Sequence, residues 1–221
     1  IALSEASADE LDGRWDARPT VIPAAVDSLP SMPRRTARRL LGLPETGPVV
    51  GWFGLVEPYK GVDRLVEAAL LLPDVTFVLM GMSRDPARTA DLVARLRDQP
   101  NVRWENRRVS DDELATLCSA SDLLAFPFTA VTNSGSVLTA LAAGRPVAIP
   151  ALESLGDIPD ACAARFGSAT PPEIAATIEA HFALPDDARA AMSAAASAHT
   201  ASVGWDAVAD AHNALYRRLG A

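Results

Sequence analysis

The sequence predicts an α/β fold: a doubly wound parallel sheet, Rossmann-like, with helices on both faces. Short apolar runs with the character of buried strands alternate with segments whose apolar residues recur at helical spacing. The connections between them are short, and such alternation requires parallel strands joined by right-handed crossovers. Ligands of these sheets bind beyond the carboxyl ends of the strands, so the loops that follow strands are the places to look for chemistry.

Five segments are predicted as strands. The two clearest are short apolar runs that end at a glycine, Gly54 or Gly81, as buried parallel strands often do. The others are shorter or less apolar. The predicted strands are residues 49–54, 75–80, 102–104, 122–126 and 146–149.

Helices are predicted between these strands and beyond the last one. Ser110 and Glu113 have the spacing of a capping box, in which the serine accepts from the third helical N–H and the glutamate reaches back. Pro171 and Pro172 suit the first turn of a later helix, and the chain after Pro150 is predicted to be mostly helical. The predicted helices cover about residues 34–41, 62–70, 86–98, 111–120 and 135–143, one from 171, then 186–199 and 205–219.

The first 48 residues differ in character from the chain that follows Pro48. Residues 18–48 hold six of the seventeen prolines and read as a linker that carries one short helix. Residues 1–5 read as the end of a strand, and no basic region precedes an apolar core as in a signal peptide. A trimmed or processed N-terminus and a missing upstream domain both explain this start, and the resemblance given below favours the missing domain.

Composition excludes several classes of protein. The net charge of −8 argues against non-specific binding to nucleic acid or to anionic lipid. Cys118 and Cys162 are the only cysteines, which excludes a disulfide scaffold and a zinc-finger array. No apolar run approaches the roughly 20 residues of a membrane span. The apolar fraction of 49% is ordinary for a globular protein and excludes wholesale disorder.

The loop from Gly54 to Gly61 is the first candidate site. It follows a predicted strand and places Lys60, the only lysine of the chain, just before a predicted helix. An ammonium group beside flexible backbone and a helix N-terminus suits a phosphate. An ordinary surface lysine on a glycine-bounded turn explains the spacing equally well. The loop is not a Walker motif, because the order Gly-x4-Gly-Lys-Ser/Thr is absent.

The loop of residues 132–136, Thr-Asn-Ser-Gly-Ser, is the second candidate. It follows a predicted strand and opens a helix, so its small residues let a ligand approach the backbone and its N–H groups favour an anion. Asn133 or Ser134 alone would be explained as a helix N-cap. The whole cluster exceeds what a cap requires.

The remaining titratable residues give weaker signals. His181, His199 and His212 have no cysteine or carboxylate at metal-ligand or triad spacing, so they are expected to pack or to face solvent, and no metal site is predicted. Cys118 is expected in the core. Residues 107–108, both arginine, could attract a phosphate, although a solvated pair is the simpler interpretation.

These motifs together resemble family 4 glycosyltransferases. The resemblance rests on Gly-x5-Lys-Gly from Gly54, Asn-Val-x-Trp from Asn101, Ser-Asp-Asp-Glu-Leu from Ser110, the run from Ser134 to Val147 and Trp-Asp-x-Val from Trp205. Such enzymes have the GT-B fold, two Rossmann-like domains that face each other across a cleft. The resemblance covers roughly residues 20–220 and matches the C-terminal, nucleotide-sugar-binding domain.

The resemblance implies a division of the chain into three parts. Residues 1–19 would be a remnant of the N-terminal, acceptor-binding domain. Residues 20–203 would be the donor-binding domain with its helical tail, and residues 204–221 the helix that crosses back. The catalytic residues would lie in the missing N-terminal domain, and this chain alone is expected to be inactive.

The resemblance also implies a set of donor-binding residues. Lys60 matches the lysine that contacts the donor diphosphate, and Ser134 to Ser136 match the loop whose backbone meets the diphosphate or the sugar. Three positions depart from the family: Leu55 replaces an arginine, and Val131 and Thr139 replace two glutamates. The implied donor-binding residues are Gly54, Lys60, Arg107, Val109, Asn133, Ser134, Gly135, Ser136 and Thr139.

The expected function is transfer of a sugar from a nucleotide-diphosphate sugar to a glycan, a lipid-linked glycan or a small molecule. No cofactor, metal or nucleic acid is expected, and the expected location is the cytoplasm, with any membrane contact made through the missing domain. Two alternatives stay open because of the departures: a non-catalytic binding module with a degenerate donor site, and a GT-B sugar-nucleotide epimerase.

Overall fold

The computed structural model describes residues 1–15 and 18–220. It contains a six-stranded, fully parallel sheet with the spatial order β3-β2-β1-β4-β5-β6, in which winding reverses between the neighbours β1 and β4. This confirms the doubly wound fold and puts the switch point at the centre of the sheet. The strands are β1 (Val49–Phe53), β2 (Thr76–Met80), β3 (Val102–Glu105), β4 (Leu123–Ala125), β5 (Val147–Pro150) and β6 (Ala163–Phe166).

Helices cover the sheet where the apolar periodicity places them. The capping box is present: Ser110 Oγ accepts from Glu113 N at 3.3 Å, and Glu113 Oε2 accepts from Ser110 N at 2.8 Å. The helices are α1 (Glu5–Trp15), α2 (Arg34–Leu40), α3 (Val62–Leu70), α4 (Pro86–Leu96), α5 (Asp111–Ala120), α6 (Gly135–Ala142), α7 (Pro171–Ala183), α8 (Asp186–Ala201) and α9 (Trp205–Leu219).

One expectation for the start of the chain was wrong, and one strand was not predicted. Residues 1–5 are not a strand: Ala2 makes a single parallel bridge to Val21, and α1 begins at Glu5. The strand β6 was not predicted, because its sequence Ala-Ala-Arg-Phe lacks the β-branched residues that mark strands. Pairing with β5 along four residues holds β6 in the sheet, so tertiary contact overrides weak local preference.

The last helix, α9, buries little of its apolar side. Val208 is buried, whereas Trp205 is 61% and Leu219 is 72% exposed. Trp205 Nε1 donates to Asp27 Oδ1 at 2.6 Å, so the start of the helix is held against the segment that precedes α2.

A buried ion pair ties the amino ends of the central strands together. Arg38 of α2 is 2% exposed, and its guanidinium donates to Asp122 Oδ2 at 2.8 Å and to the carbonyls of Ala120, Glu45 and Gly47 at 3.0–3.1 Å. Such a charge is tolerated in the interior because its donors are paired. The contacts fix α2 against the starts of β1 and β4.

His181 of α7 is buried without a hydrogen-bond partner among the described residues. Its side chain packs edge-on against Phe182, and neither ring nitrogen has an acceptor or donor nearby. Burial lowers the pKa of His181 to about 4, and the positive charge of Arg189 acts in the same direction. The imidazole is therefore neutral at physiological pH.

Replacing Arg38 by alanine is expected to lower the free energy of unfolding by about 3 kcal/mol, because three carbonyls and a carboxylate lose their buried donor. Arg39 is exposed on the same helix, so Arg39→Ala is the matched control and should change stability by less than about 0.5 kcal/mol. Urea denaturation of both variants measures the difference. Equal effects would show that the buried contacts contribute no net stability.

Stability is expected to fall as the pH drops from about 6.5 to about 4. In that window the unfolded chain protonates His181 and the folded chain does not, so protons favour unfolding, by on the order of 2–3 kcal/mol. Between these pH values, the free energy of unfolding should depend less on pH in His181→Leu than in His212→Leu. Denaturant midpoints measured across the window test this, and parallel curves for the two variants would contradict it.

Candidate functional site

Backbone hydrogen bonds join the loops at the carboxyl ends of β1, β2 and β4. Val56 N in the loop after β1 donates to Met82 O after β2 at 3.0 Å. Thr129 N in the loop after β4 donates to Tyr59 O at 2.8 Å. The loop that carries Lys60 is therefore held on both sides at the switch point of the sheet, where ligands of this fold class bind.

Two glycines allow the loops to approach this closely. A Cβ on Gly81 would overlap the carbonyl oxygen of Gly54, and one on Gly61 would overlap the carbonyl oxygen of Pro127. Gly61 also has φ of +63°, the left-handed conformation that favours glycine, where the turn before α3 ends. Side chains at these positions would push the loops apart and move Lys60.

Lys60 and the first turn of α6 meet beside Gly54. Lys60 is the last residue of a 3₁₀ turn, and its Nζ lies 2.8 Å from the point where a Cβ on Gly54 would stand. Ser136 Oγ lies 3.7 Å from the same point. The structure thus brings the two candidate loops, more than seventy residues apart in the sequence, to one place. Their role in donor binding stays a prediction.

The ammonium group of Lys60 is half-buried and uncompensated. Within residues 1–15 and 18–220, no carboxylate lies within ion-pair distance of Nζ. Burial lowers the pKa of Lys60, and the more distant charge of Glu57 opposes this. A cation with reduced hydration and no partner attracts an anion more strongly than a solvated one.

The start of α6 supplies further donors. Ser134 is the N-cap, and its Oγ accepts from Val137 N at 3.2 Å. For the N–H groups of Gly135 and Ser136 the described residues provide no acceptor, as expected in a first helical turn. Ser134 therefore fulfils the simple cap function, and the two amides beside it remain available to an anion.

The other predicted site residues are distributed around this centre. Gly135 and Thr139 line a cavity of about 250 Å³ together with Asp111 and Leu114 of α5. Val109 is half-buried just before α5. Asn133 lines a different, smaller cavity of about 70 Å³ on the other side of Ser134.

Arg107 is engaged with carboxylates of its own neighbourhood. Its Nη2 lies 2.6 Å from Glu113 Oε1, and its Nε lies 3.6 Å from Glu105 Oε2. Hydrogen bonds from Arg107, and then from the backbone of Ser110, lower the pKa of Glu113 to about 2. The charge of Arg107 is therefore already neutralised by these carboxylates. The sequence did not predict this pairing.

A larger cavity lies at the opposite edge of the sheet. Its volume is about 900 Å³, and two ion pairs form among its lining residues: Arg34 with Asp122 at 2.7 Å, and Arg189 with Asp186. Arg35 also lines it, exposed and without a carboxylate partner among the described residues. This cavity differs from the Lys60 centre in its place, since ligands of this fold class bind beyond the carboxyl ends of the strands.

The described residues form neither a metal-binding cluster nor a membrane-spanning helix. No group of three or more histidine, cysteine, aspartate or glutamate side chains is arranged to hold a metal ion within residues 1–15 and 18–220. None of the helices in those ranges combines the length and apolar character needed to cross a bilayer.

Residues 47–183 match the family model described as glycosyl transferases group 1. Among curated proteins, the D-inositol 3-phosphate glycosyltransferase of Mycolicibacterium paratuberculosis is 36% identical over 200 residues, which are 84% of this chain and 43% of the relative. The protein of the same name from Salinispora arenicola is 31% identical and covers 93% of this chain and 51% of the relative. The chain spans about half the length of these relatives.

Solved structures with similar folds include HepE of Anabaena in complex with UDP, with a TM-score of 0.83, 21% identity, and coverage of 100% of this chain and 63% of that one. The C-terminal domain of a glycosyl transferase group 1 family protein (LpcC) from Francisella tularensis has a TM-score of 0.68 and 18% identity. The match covers 79% of this chain and 94% of that domain. Both likenesses concern the fold.

Gly81→Ala is expected to lower the free energy of unfolding by about 2–3 kcal/mol, because the new methyl group must displace the carbonyl of Gly54. Gly13 lies in α1 with open space around its Cβ position, so Gly13→Ala should be neutral or stabilising by up to about 1 kcal/mol. Denaturant titration compares the two. A neutral Gly81→Ala would show that the loops do not need this close approach.

Proposed function

The chain belongs to the glycosyl transferases group 1 family, and from this premise we propose that it supplies the donor-binding half of an enzyme that transfers a sugar from a nucleotide-diphosphate sugar. The observation that carries the proposal is the convergence of an uncompensated lysine and a free helix start beside Gly54. A diphosphate would bring the negative charge that the ammonium group lacks as a partner, and the acceptor oxygens that the amides at the helix start lack.

The proposed chemistry is stabilisation of a leaving group. When the bond between the sugar and the diphosphate breaks, negative charge grows on the β-phosphate, and fixed donors placed there lower the barrier. Lys60 would supply a positive charge, and the amides of Gly135 and Ser136 would supply oriented dipoles. Because these groups can meet the charge by themselves, we propose that no metal is needed.

Lys60 is suited to this role by its surroundings. Partial burial strengthens electrostatic interactions at the ammonium group. The hydrogen bonds between the loops limit its movement, so little reorganisation accompanies the reaction. A half-buried lysine without a carboxylate partner costs folding free energy, and an incoming diphosphate would relieve that cost.

We propose a uridine diphosphate sugar as the donor to test first. Solved structures of similar fold include HepE of Anabaena in complex with UDP and with UDP-glucose. Thr139 in the cavity shared with α5 would bond a ribose hydroxyl, and the backbone of Val109 would face the base.

We place recognition of the acceptor in a part of the enzyme outside the matched residues. The curated relatives are about twice as long as the aligned segment and are named for D-inositol 3-phosphate. The acceptor of this protein is accordingly proposed to be a hydroxyl compound held by the partner domain, which would also supply the catalytic residues.

Lys60→Ala is expected to weaken binding of UDP at least about tenfold, since a charge-assisted contact to phosphate contributes roughly 1.5–3 kcal/mol. Lys60→Arg should retain part of the affinity. Arg217 is exposed on α9 without a carboxylate partner among the described residues, so Arg217→Ala controls for the change in net charge. Isothermal titration calorimetry at fixed salt measures the three variants.

Two further readouts belong to the same test. Lys60 is the only ε-amine of the chain, so acetylation followed by peptide mass analysis reports its accessibility directly, and UDP should protect it. Affinity should also decline on raising the pH sooner than for a solvated lysine, because the pKa of Lys60 is lowered. Absence of UDP, GDP or ADP binding at millimolar concentration would overturn the proposal, and binding without donor hydrolysis or transfer by the whole protein would favour a non-catalytic module.

A further inference from the structure

A column of aromatic rings runs from the core of the domain to the proposed site. Phe53 and Phe126 meet edge to face with ring centroids 5.4 Å apart, and Phe126 lies parallel to Phe128 at 5.9 Å. Phe128 in turn stacks with Tyr59 at 6.5 Å and an interplanar angle of 19°. The two middle rings are buried, and Tyr59 is 43% exposed. The column therefore ends in a ring at the surface.

Tyr59 is held in place by contacts of both its backbone and its ring. Its carbonyl accepts from Thr129 N at 2.8 Å, and it is the central residue of the 3₁₀ turn that Pro58 begins and Gly61 ends. Stacking on Phe128 orients the ring as well. A fixed aromatic surface loses little conformational entropy when a ligand packs against it.

The ring lies next to the cation of the proposed site. Lys60 Nζ is 6.0 Å from the centroid of Tyr59, within the range of a cation–π contact. A group attached to a phosphate at Lys60 would consequently lie within reach of the ring. Tyr59 was not among the residues singled out from the sequence, because only the packing against Phe128 distinguishes it from an ordinary loop tyrosine.

The cavity beside α6 indicates which part of the ligand lies on each side. Thr139, which the proposed function assigns to the ribose, lines this cavity together with residues of α5. Val109, assigned to the base, lies just before α5, whereas Tyr59 does not line the cavity. With the diphosphate at Lys60, the nucleoside would extend towards α5 and the sugar towards Tyr59.

We infer that Tyr59 forms a stacking surface for the sugar ring of the donor, and so contributes to selection of the sugar. One face of a pyranose ring presents C–H groups, and such an apolar face packs against an aromatic ring through dispersion contacts. The inference rests on the proposed function, because Lys60 must hold the diphosphate for the sugar to reach the ring.

The test compares two probes, UDP and UDP-glucose, on the same variants by isothermal titration calorimetry. Tyr59→Ala should weaken UDP-glucose about three- to tenfold and leave UDP unchanged, because UDP has no sugar ring beyond its diphosphate. Tyr59→Phe should keep the affinity for both. Tyr216 is the other tyrosine of the chain and is 48% exposed on α9, so Tyr216→Ala is the matched control and should change neither.

The outcomes distinguish a failure of the stacking role of Tyr59 from a failure of the proposed donor-binding function. An equal loss for UDP and UDP-glucose in Tyr59→Ala would mean that the ring contacts the nucleoside or supports Lys60, and would overturn the inference. Unchanged affinity for both probes would overturn it as well. If UDP does not bind the unchanged protein, the proposed function is wrong, and the inference that rests on it is wrong as well. Thermal midpoints of the variants, expected to agree within a few degrees, confirm that folding is intact.

Discussion

Contact of backbone with backbone at the carboxyl edge of the sheet is the constraint on which the rest of the site depends. Gly81 touches the carbonyl of Gly54, and Gly61 touches that of Pro127, at separations that no side chain would permit. The loops after three strands are thereby drawn together. Their hydrogen bonds hold the backbone on both sides of Lys60, whose ammonium group lies beside Gly54 and near the first turn of α6.

The cations at the two edges of the sheet, Arg38 and Lys60, differ in how their charge is compensated. At the amino edge Arg38 is surrounded by carbonyls and paired with Asp122, so the charge serves the fold. At the carboxyl edge Lys60 is half-buried and has no carboxylate partner among the described residues. A half-buried charge without such a partner is available to a ligand.

Much of this arrangement could be predicted from the sequence because it depends on local pattern. Apolar runs that end in glycine located β1 and β2, and the rule that ligands bind beyond strand ends selected the loops of Lys60 and Ser134. The strand β6 escaped because its alanines carry no strand preference and only pairing with β5 holds it. The ion pair of Arg107 with Glu113 and the stack of Tyr59 on Phe128 are contacts of particular side-chain geometry, which no spacing rule encodes.

The aromatic column links the deepest packing of the domain to its rim. Phe126 has no exposed surface, and its ring lies parallel to that of Phe128, which in turn stacks with Tyr59. A change of side-chain volume at Phe126 would then shift Phe128 and, through it, the plane of the Tyr59 ring. Ligand preference in this protein could drift through mutations that never touch a ligand, and engineering of new preferences could begin in the interior.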